Sequence, residues 1–217
     1  MIPLPRGDHS DSFRRSFLKL GGVALAVSMM SLAGCDAPSS SGGATTSFKG
    51  IDITGAEYAR TLSLNDQNDQ VRTLADFEGK VTVVFFGFTQ CPDVCPTTMA
   101  ELAQVKAALG KDGDRVQGVF VTVDPERDTA AVLKSYMGGF DPSFVALRGS
   151  PEEIAATAKE FKVFYAKVPG KTEGSYSVDH TAGSYVFDAQ GKVRLFIRYG
   201  GGAEALAADL KTLLAAS

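Results

Sequence analysis

The sequence predicts an α/β domain in which a mixed central sheet is flanked by helices and finished by a C-terminal β-hairpin and a last helix. Three features of the 217-residue chain lead there. Residues 80–86 and 116–123 are β-branched and aromatic runs, apolar enough for strands buried on both faces. Segments of helical character follow each run, and strands alternating with helices indicate a layered α/β arrangement. Near the end, residues 181–187 and 193–199 flank the turn Asp188-Ala189-Gln190-Gly191, which brings an antiparallel pair into the sheet.

In chain order, residues 61–64 and 70–73 read as short strands around the polar turn Asn65-Asp66-Gln67-Asn68-Asp69. Residues 80–86 are the best candidate for the central strand. Gly87-Phe88-Thr89-Gln90 leads into Cys91-Pro92-Asp93-Val94-Cys95-Pro96, and a helix then runs to about Leu109. Pro96 suits its first turn, where a missing N–H costs little. Residues 116–123 form a second buried strand closed by Asp124-Pro125, followed by a helix over 129–137 and a short strand over 144–147. Ser150-Pro151-Glu152-Glu153 is a capping-box start for a helix reaching Phe161. After the hairpin, Gly200-Gly201-Gly202 reads as the turn into a helix over 203–215; it lacks the lysine and the spacing of a phosphate-binding loop. There is no internal repeat.

Residues 1–34 read as an export signal and are excluded from the fold. Arg14 and Arg15 stand in a twin-arginine-like segment, with Phe13 where a small hydroxyl residue is usual. The apolar run over 20–33 is shorter than the about 20 residues a bilayer requires. It ends in Leu32-Ala33-Gly34-Cys35, which resembles a lipobox, so Cys35 is expected to carry a lipid and become the first residue. Residues 35–47 are then the lipidated cysteine and a Gly/Ser-rich tether reaching about 20 Å. The expected location is the outer, periplasmic face of the cytoplasmic membrane, with a lipid anchor. Residues 48–217 have the size of one ordinary domain. With 22 basic against 25 acidic side chains and no basic cluster, the composition argues against nucleic-acid binding.

Three cysteines and two histidines are present in all. Lipidation of Cys35 and removal of His9 leave Cys91, Cys95 and His180 for any soft-metal or thiol chemistry. Cys91 falls just past the end of the central strand, where open α/β sheets place their sites. The following helix presents its N-terminus there, and its free N–H groups and dipole favour a thiolate. One helical turn from Cys91 to Cys95 places both sulfurs on one face, able to bind one metal ion or to close a disulfide. Structural zinc wants four protein ligands, and only three good soft ones are present. Thiolates select Cu(I) and imidazole also suits copper; the same set with a water or a weak oxygen ligand holds Cu(II). The alternative is a thiol–disulfide oxidoreductase or thiol peroxidase using Cys91 and Cys95; the four-residue spacing and His180 favour copper, although a lone histidine is more often structural than a ligand. Met99, one turn after Cys95, is a soft side chain expected in the core. No Ser/His/Asp arrangement stands out.

The run Phe85-Phe86-Gly87-Phe88-Thr89-Gln90-Cys91-Pro92-Asp93-Val94-Cys95-Pro96-Thr97-Thr98 resembles the signature of the Sco/SenC family. The likeness continues through Val121-Thr122-Val123-Asp124-Pro125-Glu126-Arg127-Asp128-Thr129 and ends at Asp179-His180-Thr181, with Tyr185 in the strand beyond. The resemblance implies a thioredoxin-like fold, with His180 where thioredoxins keep a proline facing their cysteines. It implies a copper metallochaperone, binding one copper through Cys91, Cys95 and His180 without catalytic turnover. It further implies assembly of the copper centre of cytochrome c oxidase, with subunit II as recipient and other copper carriers as possible partners. Asp93 is expected as an exposed acid at the helix start, Asp124 as a strand-end turn and Asp128 as a helix N-cap rather than as copper contacts.

Overall fold

The structure, a computed structural model, describes residues 47–217. The expected export signal, the lipidation site Cys35 and the tether up to residue 46 lie outside the described residues.

The strands are β1 (Ile51–Asp52), β2 (Ser63–Asp66), β3 (Val71–Thr73), β4 (Val81–Gly87), β5 (Val116–Thr122), β6 (Val145–Arg148), β7 (Tyr165–Pro169), β8 (Tyr176–His180), β9 (Gly183–Phe187) and β10 (Val193–Arg198). The helices are α1 (Val94–Ala108), α2 (Ala130–Gly138), α3 (Pro151–Glu160) and α4 (Ala203–Ala215). Eight strands form one sheet in the order β1-β10-β9-β4-β5-β6-β2-β3, and β7 with β8 forms a separate two-stranded ribbon. The centre is parallel: β4 runs beside β5 from Val81 opposite Val116 to Gly87 opposite Thr122, and β5 runs beside β6. Antiparallel strands flank it, β9 on β4 and β2 on β6. This is the mixed, thioredoxin-like α/β arrangement that the sequence predicts.

Every residue of β4 and β5 is buried, which is why both read as continuous apolar runs. Phe85 and Phe120 lie side by side on the face that α1 covers. Gly118 leaves room there, since a Cβ at that position would fall 2.7 Å from the Phe144 ring and 3.0 Å from Leu102 of α1. Helix α4 packs against α1. On the opposite face, the Phe161 ring at the end of α3 meets Phe86 at 5.1 Å and Tyr185 at 5.4 Å between centroids. The Tyr185 hydroxyl donates to the Phe161 carbonyl, so this buried phenol is partnered.

Local signals hold where the chemistry is local. Asp66 closes the β2–β3 hairpin by accepting from the Asn68 and Gln70 amides and from Arg72. Ser150 and Glu153 form the expected capping box on α3. The expected cap on α2 is displaced by one residue: Thr129 accepts from Val132 N, whereas Asp128 is buried and bonded elsewhere. Strand β1 is two exposed residues and β7 has no buried one, so neither has a clear sequence signal, while β8 alternates around a single buried residue, Val178. Among the described residues no helix is long and apolar enough to cross a membrane.

One buried acid ties the start of the domain to its end. Asp209 of α4 accepts the Lys49 and Gly50 amides, each at 2.7 Å, while itself 2% exposed. Asp209→Ala strands those two N–H groups, so it is expected to destabilise the domain by about 1–3 kcal/mol. The expected observation is a lower urea midpoint with unchanged far-ultraviolet circular dichroism.

Candidate metal centre

The site is built where β4 ends. Gly87 is its last residue, and a Cβ there would lie 2.8 Å from Cys95 Sγ and 2.8 Å from the Phe85 ring. Real Cβ atoms do not approach so closely, so the sulfur occupies space that only glycine leaves open. The chain then turns, with the Cys91 amide donating to the Phe88 carbonyl at 3.2 Å, before α1 starts at Val94. Cys91 is therefore on the loop and only Cys95 is in the first helical turn, which corrects the single helical turn expected for the pair. The sulfurs converge all the same. Cys91 Sγ accepts from the Cys95 amide at 3.5 Å, taking up one of the N–H groups that a helix start leaves unpaired.

His180 arrives from the end of β8, 85 residues away. Its ring stands edge-on to Phe85 and Phe88, with centroids 5.8 and 5.9 Å away. His180 Nδ1 lies 3.1 Å from the Thr181 carbonyl, which can only accept, so Nδ1 carries the ring proton. The lone pair is left on Nε2, which faces Cys95 Sγ at 3.4 Å. Fixing the tautomer through the far nitrogen is how proteins orient an imidazole toward a metal. The two sulfurs and Nε2 all lie within 4.8 Å of one another. Both cysteines are free thiols, Cys95 buried and Cys91 half-buried.

Burial governs the protonation states. It pushes the Cys95 thiol far up, and the neighbouring Cys91 and Asp128 act in the same direction. At Cys95 the protonated thiol is therefore favoured. Burial also lowers the pKa of His180, against the opposing pull of the Thr181 carbonyl and Asp179, so the ring is neutral near pH 7. A soft metal bound here must displace the proton of Cys95 and meets an unprotonated His180 Nε2.

The surrounding acids hold loops. Asp128 accepts the Thr89 amide at 3.1 Å and the hydroxyls of Thr89 and Thr122 at 2.6 Å each, fastening the loop before Cys91 to β5. Burial raises its pKa. Asp124 accepts the Tyr176 hydroxyl at 2.8 Å and pairs with Arg127. Asp93 is exposed, with its carbonyl taking the Thr97 amide, and Met99 is fully buried one turn below Cys95. Phe88, Gln90, Arg127 and Tyr176 were not singled out from sequence. Phe88, Gln90 and Arg127 stand inside the family-like runs without an assigned role, and Tyr176 has only its nearness in the chain to His180 as a signal.

Comparison with known proteins agrees with this geometry. The chain is 39% identical over 132 residues to an SCO2-like protein of Rickettsia felis, covering 60% of this chain and 64% of that protein. It thus matches less than two thirds of that relative's length. Among solved structures, ScoI of Bradyrhizobium japonicum with copper bound superposes with a TM-score of 0.64 at 44% identity, over 70% of this chain and 97% of that one. Apo Sco1 from Thermus thermophilus gives 0.69 at 38% identity, over 79% and 99%. The SCO1/SenC family matches residues 52–215, nearly all of the described fold and every residue of the cysteine–histidine cluster, and the chain belongs to that family.

Proposed function

We propose that this protein is a copper metallochaperone that holds one copper ion through Cys91, Cys95 and His180. The observation that carries the reading is the convergence of two cysteine sulfurs and a correctly tautomerised imidazole nitrogen within 4.8 Å. Two sulfurs and one nitrogen make a trigonal Cu(I) site; an added oxygen ligand accommodates Cu(II). Three soft ligands fall short of the four that structural zinc takes. The copper found in the B. japonicum relative supports copper as the cargo. From the family resemblance, the recipient is the copper centre of cytochrome c oxidase, in subunit II, with other copper carriers as further partners. The domain (residues 48–217) works at the outer face of the cytoplasmic membrane. An export signal over residues 1–34 and a lipid on Cys35 would put it there, with residues up to 47 as tether.

The same sulfurs support a second reading, thiol–disulfide exchange, because the Cys95 amide already points at Cys91 Sγ. Against it, His180 Nε2 faces Cys95 Sγ at 3.4 Å, a nitrogen donor that a metal site uses and disulfide exchange does not need. The two readings separate cleanly. Reduced protein is expected to take up one copper and the Cys91–Cys95 disulfide none, since a metal ligand must be a thiolate. Rapid turnover of disulfide substrates by metal-free protein that binds no copper would reverse the assignment.

Cys91→Ser, Cys95→Ser and His180→Ala are each expected to lower copper affinity beyond the ~10–100-fold that loss of an outer-shell partner costs. Anaerobic titration against a Cu(I) chelator measures this; an unchanged affinity and spectrum for His180→Ala would remove the histidine from the site. Affinity should also depend on pH. The raised Cys95 pKa means its proton is still bound throughout pH 6–8 and must be displaced by the metal. Apparent affinity therefore rises with pH in that window, by about tenfold per unit for each proton released.

A further inference from the structure

The ligands arrive on two independent pieces of backbone. Cys91 and Cys95 sit where β4 passes into α1, on the main sheet, whereas His180 ends a ribbon in which β7 and β8 pair only with each other. Three residues beyond His180 the chain enters β9 of the main sheet, but upstream of that point no strand pairing holds the ribbon over the cysteines.

The geometry points to Arg127 as the positioning residue that latches the ribbon, and with it His180, onto the cysteine loop. Its Nη1 donates to the Tyr176 carbonyl at 2.9 Å, at the first residue of β8, and to Gln90 Oε1 at 3.0 Å, next to Cys91. Its Nε pairs with Asp124, which is fully buried and also accepts the Tyr176 hydroxyl at 2.8 Å. The guanidinium lies 3.6 Å over the Tyr176 ring and 5.8 Å from the Phe88 ring, which in turn stands against His180. Apart from the ligands themselves, Arg127 is the one described residue whose side chain hydrogen-bonds both ligand-bearing segments.

A planar fork with several donors and a stacking face can serve these partners together; a lysine ammonium, a single point of charge, cannot. A further side-chain tie across this junction, Lys167 to Glu126 at 2.7 Å, joins two exposed groups, and such surface pairs contribute little. The Arg127 latch is only 20% exposed and better shielded from solvent. It orders the nitrogen donor before the metal arrives, so the ordering cost is not met at the moment of binding. The consequence for copper rests on the metallochaperone reading; the latch itself does not.

Two measurements on the full-length protein separate them. In reduced, metal-free protein, Arg127→Lys should raise amide hydrogen exchange in β8 at least tenfold and leave β4 and β5 unchanged. Tyr176→Phe, which removes only the bond to Asp124, should give a smaller rise in the same strand, and Glu126→Gln none. In copper-loaded protein, Arg127→Lys should lower affinity ~10–100-fold. X-ray absorption should then show nitrogen lost from the copper shell with both sulfurs kept. Unchanged β8 exchange in Arg127→Lys would overturn the latch whatever copper does. So would equal loss of nitrogen and sulfur, or an effect of Glu126→Gln as large as that of Arg127→Lys. If wild-type protein bound no copper while β8 still loosened in Arg127→Lys, the latch would stand and the copper reading would fall.

Discussion

At the end of β4 a sulfur atom occupies the volume where every residue but glycine would place a Cβ. That contact between Gly87 and Cys95 Sγ sets much of what surrounds it. It fixes how close the first turn of α1 comes to the sheet, and hence that Cys95 is buried while Cys91, on the loop, stays half-exposed. It also keeps Phe85 beside the sulfur, and Phe85 is one of the two rings on which His180 rests. A side chain at position 87 would have to displace a sulfur or an aromatic ring in a core packed as densely as a crystal.

Around that contact, buried polar groups join loops to the sheet. Asp128 fastens the segment before Cys91, and Asp124 with Arg127 fastens the ribbon bearing His180. Each acid is satisfied by several donors, the condition under which burying a carboxylate is tolerable and under which it enforces one geometry. None of the hydrogen bonds of either acid reaches a cysteine or the histidine, yet the relative placement of the three follows from them.

How much of this the sequence displays depends on how local the physics is. β4 and β5 are legible because burial on both faces leaves an unbroken apolar run, and α3 because Ser150 and Glu153 sit three residues apart. Cys91, Cys95 and His180 are singled out as candidate ligands by residue chemistry and by family resemblance. Their meeting is not legible, since it relies on pairing between Tyr165–Pro169 and Tyr176–His180, of which the first has no buried residue and the second only Val178. Asp128 misleads because it stands one residue before the true cap and is recruited by Thr89 and Thr122 instead. The raised pKa of Cys95 is illegible for a related reason: a helix start is visible in sequence, but depth below the surface is not.

The unequal depth of the two cysteines gives the cluster a front and a back. Cys95 is closed off by Gly87 and the core, so no incoming donor atom can approach from its side. Cys91 borders solvent. Ligand substitution at an ion held here would run in one direction, with the bond to Cys91 exchanged first and the bond to Cys95 surrendered last. For the proposed copper carrier, that order of bond-breaking would require an incoming donor to approach from the Cys91 side.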